Sequence, residues 1–477
     1  MTAIHPPEPE HQKYAAELVS RLGCEAVSFH GIKANFDYWF TESKDGCVAY
    51  VDTGSAWVAL GSPIASPNEI EPVARAFIEA AAHKKRHARF FAVEANSPLV
   101  SSTMGGKDGE LKQLIIGQQP EWNPAEWKTF LRTKRSLREQ LRRARAKGVA
   151  VCEVELTEQT ADNREGTDLA ELARRWQQTK PMPPMKFAVS LTLFAQPSSR
   201  RLFWARQQNT HNASNNNNDD EYRLIAALIA SPIGADGDWF IEDLLRDPNA
   251  PNGTMELLFD TAMTSFANEG SRRVTMGLAP LAGVPSAILR TIRVATPWLY
   301  DWDGLRNFKA KLGPSSWQPV YLVFPRSDGP IRSMLDSLRC FAGGSLVGFG
   351  IHFILHRYRA ILWLMAMLLI PWTAALTSSQ ASLFFPSEEI QTGWFIFDVF
   401  IFAGLVQLAT RWTRPLCQLL AIGATADAIM GITQLIGWNA VKTSGFGWPF
   451  VAIAITAPLG AAIYLTLLSI RHPKSDD

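Results

Sequence analysis

The sequence predicts an α+β region built as two similar halves over residues 1–328, followed by an all-α membrane domain of about four transmembrane helices. Three observations carry this. Strand-like segments come first as hairpins and then alternate with helical ones, and that order occurs twice. Charge thins out after Ala360, leaving four apolar runs close to the ~20 residues needed to cross a bilayer. A chain of 477 residues has room for several such units at about 100–200 residues each.

In the first half, residues 48–60 alternate as a strand pair with a turn at Thr53-Gly54. Residues 68–83 place Ile70, Val73, Phe77 and Ala80 at helical spacing, and residues 89–94 form a short apolar strand. In the second half, 222–230 and 238–245 read as strands, 254–268 as a helix and 273–279 as a strand. A helix over 304–312 and a last strand over 319–324 follow. The expected division is 1–150 and 151–328 for the halves, 329–359 for an amphipathic or re-entrant linker, and 360–472 for the membrane domain. The polar run 207–221, with Asn215 to Asn218 followed by Asp219 and Asp220, cannot bury a core and reads as a loop.

The four spans are expected over 361–377, 390–410, 415–437 and 446–470. Arg357 and Arg359 precede the first, Arg411 and Arg414 separate the second from the third, and Arg471 and Lys474 follow the last. Glu388, Glu389 and Lys442 lie on the opposite side. Basic residues are retained on the cytoplasmic side, so both the large N-terminal region and the tail are expected in the cytoplasm, beneath the inner membrane. A further charge-free run, residues 340–355, is either a fifth span or an interfacial helix. Basic residues at both ends, four glycines and its short length favour the latter. Asp398 and Asp427 lie inside apolar runs with no intramembrane Lys or Arg, where a carboxylate is either hydrogen-bonded to a neighbour or functional.

With 47 Lys+Arg against 45 Asp+Glu, overall charge marks neither a nucleic-acid binder nor an acidic surface, so any basic site is local. Five scattered cysteines without a CxxC pair indicate neither a disulfide framework nor structural zinc. The first ten residues, with Pro6, Pro7 and Pro9, show no secretory signal.

Local basicity is found over residues 127–148, where nine Lys and Arg face one acid, Glu139. On a helix, Arg135, Arg138, Arg142 and Arg145 share one face while Phe130, Leu137 and Leu141 line another. Such a face suits the phosphates of RNA or an anionic lipid surface, and equally a solvated surface with no partner. The second chemical signal is a strand ending in Glu242 and Asp243 that runs through a Pro/Asn/Gly turn into a helix capped by Asn252 or Thr254. Free N–H groups at that helix start suit a phosphate or a developing oxyanion, with Asp243 and Glu256 near it.

Four motifs in order carry a resemblance. They are Asp243-Leu244-Leu245-Arg246 with Ala250-Pro251-Asn252-Gly253-Thr254-Met255-Glu256; Met276-Gly277-Leu278-Ala279-Pro280-Leu281; Leu305-Arg306-Asn307-Phe308-Lys309-Ala310-Lys311; and Trp317-Gln318-Pro319-Val320-Tyr321-Leu322. Together they resemble the C-terminal synthase domain of phosphatidylglycerol lysyltransferases. The similarity extends more weakly over residues 30–325, through Ala59-Leu60-Gly61-Ser62-Pro63 and Ser136-Leu137-Arg138 with Arg142, Arg143 and Lys147-Gly148.

The resemblance implies tandem GNAT-like acyltransferase folds that move an aminoacyl group from aminoacyl-tRNA to the hydroxyl of a lipid such as phosphatidylglycerol, without a cofactor or metal. Asp243 is then expected to hold the donor's amino group, with Glu256 a second acid at the acyl site. Arg246, Arg306, Lys309 and Lys311 are expected to meet phosphates, and Asn252, Gly253 and Thr254 to line the substrate turn. Arg135, Arg138, Arg142 and Arg145 are expected to face tRNA or anionic lipid. On the residues alone, Lys309 and Lys311 also read as an exposed helix face, and Arg306 as an ion-pair partner of Asp301 or Asp303. Family members often carry a flippase-like domain before the synthase, whereas here the α+β region comes first. Two other readings remain: a membrane-anchored acyl-CoA-dependent transferase, for which the 247–254 turn has the wrong composition, and a non-catalytic RNA- or partner-binding membrane protein.

Overall fold

The computed structural model describes residues 9–471 except 34, 102–108, 181, 183, 209–221, 236, 296–299, 379–380 and 441–446. The Asn-rich run beyond Gln208, Lys442 and Lys474 lie outside the described residues. The chain forms two compact units, Met1–Leu346 and Val347–Asp477.

The first unit begins with helix α1 (Pro9–Leu22) and a 3-10 turn (Ser28–Ile32), then strands β1 (Asp37–Phe40), β2 (Cys47–Asp52) and β3 (Ala56–Leu60). Helix α2 (Ile70–His83), β4 (His87–Glu94), α3 (Pro98–Ser101), β5 (Leu111–Trp122), α4 (Trp127–Thr133) and α5 (Arg135–Ala146) complete the first half. The second holds β6 (Val149–Val154), α6 (Arg164–Gln178), β7 (Arg201–Gln208), β8 (Tyr222–Ile233), β9 (Asp238–Arg246), α7 (Thr254–Asn268), β10 (Val274–Thr275), β11 (Ala279–Pro280), α8 (Ala287–Ala295), α9 (Trp302–Lys311) and β12 (Ser316–Pro325).

These strands form one sheet in the order β1-β2-β3-β4-β12-β5-β10-β9-β8-β7-β6, with β11 on β5. In each half an antiparallel meander leads through a crossover helix to a parallel strand: β3-α2-β4 and β9-α7-β10. Parallel neighbours need such a crossover, which explains why a helical pattern follows the meander twice. The halves then exchange partners. β12, from the second half, lies beside β4, whereas β5, from the first, lies beside β10; β5 and β12 pair with each other from Ser316↔Glu121 to Pro325↔Leu111. The expected boundary at 150 falls inside β6 (Val149–Val154), and the chain does not part there into separate units.

Both sheet faces are covered, so the strands are apolar on both sides. Along β3, Trp57 and Ala59 join the core beneath α2 with Phe77 and Phe90, while Ala56, Val58 and Leu60 join the opposite core with Phe187 and Cys340. Along β7, Phe203 and Ala205 face the core with Phe259 of α7 and Leu137 of α5, whereas Leu202 and Trp204 face Leu169 and Leu172 of α6. The basic segment is two helices, broken at Lys134, and the expected strand over 273–279 is two short pieces separated by a turn at residues 276–278.

The expected linker is also divided. Helix α10 (Pro330–Phe341) belongs to the first unit: its Asp336 is buried against Arg89 at 3.1 Å, and Cys340 lies in the sheet core. Gly343 and Gly344, both at positive φ, follow it, so residues 340–355 are not one continuous helix and α11 (Leu346–His356) starts anew. Helices α12 (Tyr358–Leu376), α13 (Glu388–Thr410), α14 (Arg414–Gln434) and α15 (Gly447–Arg471) follow, and all four segments are long and apolar enough to cross a membrane. Leu405, Leu420 and Leu465 pack with Leu362 in one layer of this unit, and Leu376, Phe385, Trp394 and Phe450 in another.

Candidate active site

The parallel strands β9 and β10 pair only at Val274↔Trp239 and Thr275↔Phe240. Beyond that, β9 continues to Arg246 while the other chain turns away through residues 276–278. A register shift against β8 leaves Glu242 as an extra residue on β9 between Ile241 and Asp243, a bulge of the kind that re-aims side chains at sites. Gly277, at φ +68°, allows the turn to pass the Phe240 ring, which a Cβ there would approach to 2.7 Å.

In the first half the corresponding ends of β3 and β4 stay joined. Gly61 N–H donates to the Phe91 carbonyl at 2.7 Å, and the space beside it is filled by the buried Glu25. Its carboxylate accepts from Ser62 N–H at 2.6 Å, Ser62 Oγ at 2.8 Å and Glu94 N–H at 3.0 Å. Glu94 in turn accepts from Gln119 at 3.0 Å and from Arg273 at 2.5 Å. Only the second half leaves its strand ends parted beside acids.

Around the bulge, the side chains of Glu242 and Arg200 are wholly buried and ion-paired. Glu242 Oε2 lies 3.4 Å from both His30 Nε2 and Lys33 Nζ. His30 and Lys33 come from the first half, so the site is built by both repeats. Burial opposes the Glu242 charge, but the Lys33 and Arg200 cations beside it hold it below the usual carboxylate range. Burial, reinforced by the Lys33 charge, pushes His30 down to about 3, so it is a neutral imidazole. Asp243 differs. Burial first and the adjacent Glu242 second push it up to about 7, and its Oδ2 is buried without a hydrogen-bond partner.

Glu25 is likewise pushed up to about 7, by burial and by Glu94. Both acids keep their proton in the folded chain between about pH 4 and 7 while the unfolded chain has lost it, so stability falls as pH rises through that window. Thermal midpoints measured from pH 4 to 7 should decline in the parent chain, and the decline should be shallower in Glu25→Gln.

The turn after β9 is held from inside. Asp247 is buried, with Arg175 and Arg223 each at 2.8 Å from its Oδ2. Arg246 donates to the Ala250 carbonyl at 2.8 Å and to Asn252 Oδ1 at 3.4 Å. Neither Asn252 nor Thr254 caps α7: Gly253 is the N-cap residue, and Thr254 Oγ donates back to the Pro251 carbonyl at 2.7 Å. Gly253 sits at φ +95° where any Cβ would run into the Gln140 carbonyl of α5. Gly253→Ala should therefore cost about 1–3 kcal/mol, read as a lower urea midpoint.

Glu256, in the first turn of α7, is buried and takes Lys311 Nζ at 2.7 Å. Glu256 thus has a lysine partner, whereas the buried Oδ2 of Asp243 has none. Lys309 does not offer its charge outward as an exposed or phosphate-facing residue. It is buried, and its Nζ donates to the carbonyls of Met276 at 3.0 Å, Gly277 at 2.9 Å and Leu278 at 3.0 Å. Burial pushes it down to about 7, yet three carbonyl acceptors are satisfied in full only by the ammonium. Arg306 lies over the Trp317 ring at 5.2 Å, while Asp301 accepts from Gly304 N–H at 2.8 Å and Asp303 pairs with Arg293.

On the basic helix, Leu137 and Leu141 are buried as expected from their spacing. Arg138 donates to the Leu131 carbonyl at 3.0 Å at the break after α4, Arg142 pairs with Glu139 at 2.7 Å and Arg145 with Asp260 at 3.2 Å. Arg135, Arg138, Arg142 and Arg145 all stay exposed. Exposed pairs of this kind contribute about 0–1 kcal/mol, so they yield readily to a competing phosphate.

The family model for the C-terminal region of phosphatidylglycerol lysyltransferases matches residues 28–324. A phosphatidylglycerol lysyltransferase from Bacillus subtilis (strain 168) is 29% identical over 119 residues, which take in 22% of this chain and 13% of that protein. Two solved structures share the fold: a C-terminal (DUF2156) domain assigned to a lysylphosphatidylglycerol synthetase from Agrobacterium fabrum, and L-PGS from Bacillus licheniformis. The first is 20% identical with a TM-score of 0.58, covering 71% of this chain and 98% of that one. The second is 19% identical with a TM-score of 0.57, covering 72% and 99%. The motifs singled out from sequence fall within the matched span. The chain belongs to the phosphatidylglycerol lysyltransferase C-terminal family.

Proposed function

We propose that this protein transfers an aminoacyl group from aminoacyl-tRNA to a lipid hydroxyl, such as that of phosphatidylglycerol, at the cytoplasmic leaflet of the inner membrane. The observation that carries this reading is Asp243. A carboxyl with one buried, unpartnered oxygen, held near neutrality by burial and by Glu242, is suited to an incoming ammonium. The α-amino group of an aminoacyl ester brings that ammonium, and pairing converts Asp243 to its ionised form while fixing the acyl carbon in place.

The lipid hydroxyl attacks that carbon, the new C–O bond to the lipid forms, and the bond to the tRNA ribose oxygen breaks. The proton lost by the lipid hydroxyl ends on the ribose oxygen, so one ester replaces another and no nucleotide need be hydrolysed. Glu256 with Lys311 is the proton-handling pair in this reading, and the exposed face of α5 meets the phosphates of tRNA or lipid. Arg357, Arg359, Arg411, Arg414 and Arg471 at span ends support a cytoplasmic position for the catalytic region.

The test uses the full chain in phosphatidylglycerol-containing liposomes, supplied with charged tRNA or with acetyl-CoA. A lipid mass increase equal to one amino-acid residue, abolished by ribonuclease, is the expected result. Acetylated lipid would favour the acyl-CoA donor, and unmodified lipid with folded protein would overturn the reading.

A further inference from the structure

In the helical unit, between the layer of Leu405 and Leu420 and the layer of Trp394 and Phe450, lies a cavity of about 900 Å³. Asp398 and Asp427 line it, about one helical turn from Trp394 and Ala424 respectively. Most of the remaining wall is aliphatic or aromatic, and no Lys, Arg or His is among its described lining residues. Three lining polar atoms are buried with no hydrogen-bond partner: Asp398 Oδ2, Asn439 Oδ1 and the Tyr464 hydroxyl. Asp398 is 3% exposed and Asn439 6%. On α15, Pro458 has no N–H to offer the Ala454 carbonyl, and both residues line the same space.

The two carboxyls, with the unpartnered Oδ2 of Asp398, ask for a positive charge that donates hydrogen bonds. Asp398 and Asp427 line this space from neighbouring helices where its described lining residues supply no cation, and an unpartnered buried acceptor such as Asp398 Oδ2 is rare. The volume distinguishes an organic cation from an inorganic one. A lone ion needs only its coordinating atoms, whereas about 300–1,000 Å³ of mainly apolar wall is the size of an organic ligand site. We propose that this cavity binds an amphiphile with a primary ammonium headgroup, paired with Asp398 and Asp427, its apolar portion lying against the cavity wall. An aminoacylated lipid is one such molecule and phosphatidylethanolamine another; the inference does not depend on the transfer reaction.

The experiment is lipid retention by the full chain, purified from nanodiscs of phosphatidylcholine doped in separate arms with lysyl-phosphatidylglycerol, phosphatidylethanolamine or phosphatidylglycerol, and counted by native mass spectrometry. Each lipid is supplied ready-made, so a silent transferase would not alter the result. At least tenfold stronger retention of one or both ammonium lipids over phosphatidylglycerol is expected, and which of them is retained identifies the source. The double variant Asp398→Asn/Asp427→Asn should lose that preference. Ala454→Phe, which fills the cavity and leaves both acids in place, should lose retention too. Equal retention of phosphatidylglycerol overturns the inference. So does unchanged preference in the monodisperse double variant or, should that variant not fold, in Ala454→Phe.

Discussion

Asp243→Asn should lower lipid aminoacylation on the order of 10²–10³-fold while leaving the thermal midpoint at pH 7 unchanged or raised. The amide keeps the size of the carboxyl and removes the charge that burial and Glu242 already disfavour, so folding loses nothing. Transfer loses the group that fixes the donor. A readout separates this role from a structural one. With N-acetylated aminoacyl-tRNA, which has no α-ammonium, the parent chain should fall to about the level of the variant, and the variant should barely respond. If the variant discriminates between the two donors as strongly as the parent, Asp243 does not hold the amino group. Glu242→Gln should behave differently, because it leaves Arg200 and Lys33 buried without their shared counter-charge. Its principal effect should be loss of folded protein.

Lys309→Met should be strongly destabilising. The methionine side chain fills similar space, but three carbonyls that received N–H donors from one ammonium are left without them. At about 1–3 kcal/mol for each stranded acceptor, the loss is a large share of a total stability of roughly 5–15 kcal/mol. Residues 276–278 form the turn by which the chain leaves β10, so the strand parting beside Asp243 should collapse or loosen with it. Chemical denaturation of the full chain measures the first effect. Hydrogen exchange at Met276, Gly277 and Leu278 measures the second, and should accelerate even where the remaining core stays protected. A variant as stable as the parent would remove Lys309 from this structural role.

Much of this architecture was legible in the residues. Helix α7 occupies the span its apolar spacing and preceding turn indicate, and β2, β3, α2 and β4 fall within a few residues of expectation, because local periodicity and turn chemistry agree there. What periodicity does not encode is which strand neighbours which, so the exchange of β5 and β12 was out of reach. Nor does it encode partners far apart in the chain. No spacing marks His30 and Lys33, yet they meet Glu242 more than two hundred residues later. Lys309 reads from its residues as an exposed helix face and from the resemblance as a phosphate contact, and neither reading encodes that the carbonyls of residues 276–278 take its ammonium. Gly253 carried a usable signal that was assigned to its neighbours: a glycine directly before a helix is itself a cap when another helix passes close by.

The exchanged strands set a condition on synthesis. A nascent chain that has emerged only through β5 exposes the edge of β4, since β12, which covers it, is made some two hundred residues later. An open edge of that kind invites pairing with another chain. The apolar helices α12 to α15 emerge only after β12, so the order of translation allows the sheet to close before the longest apolar segments leave the ribosome.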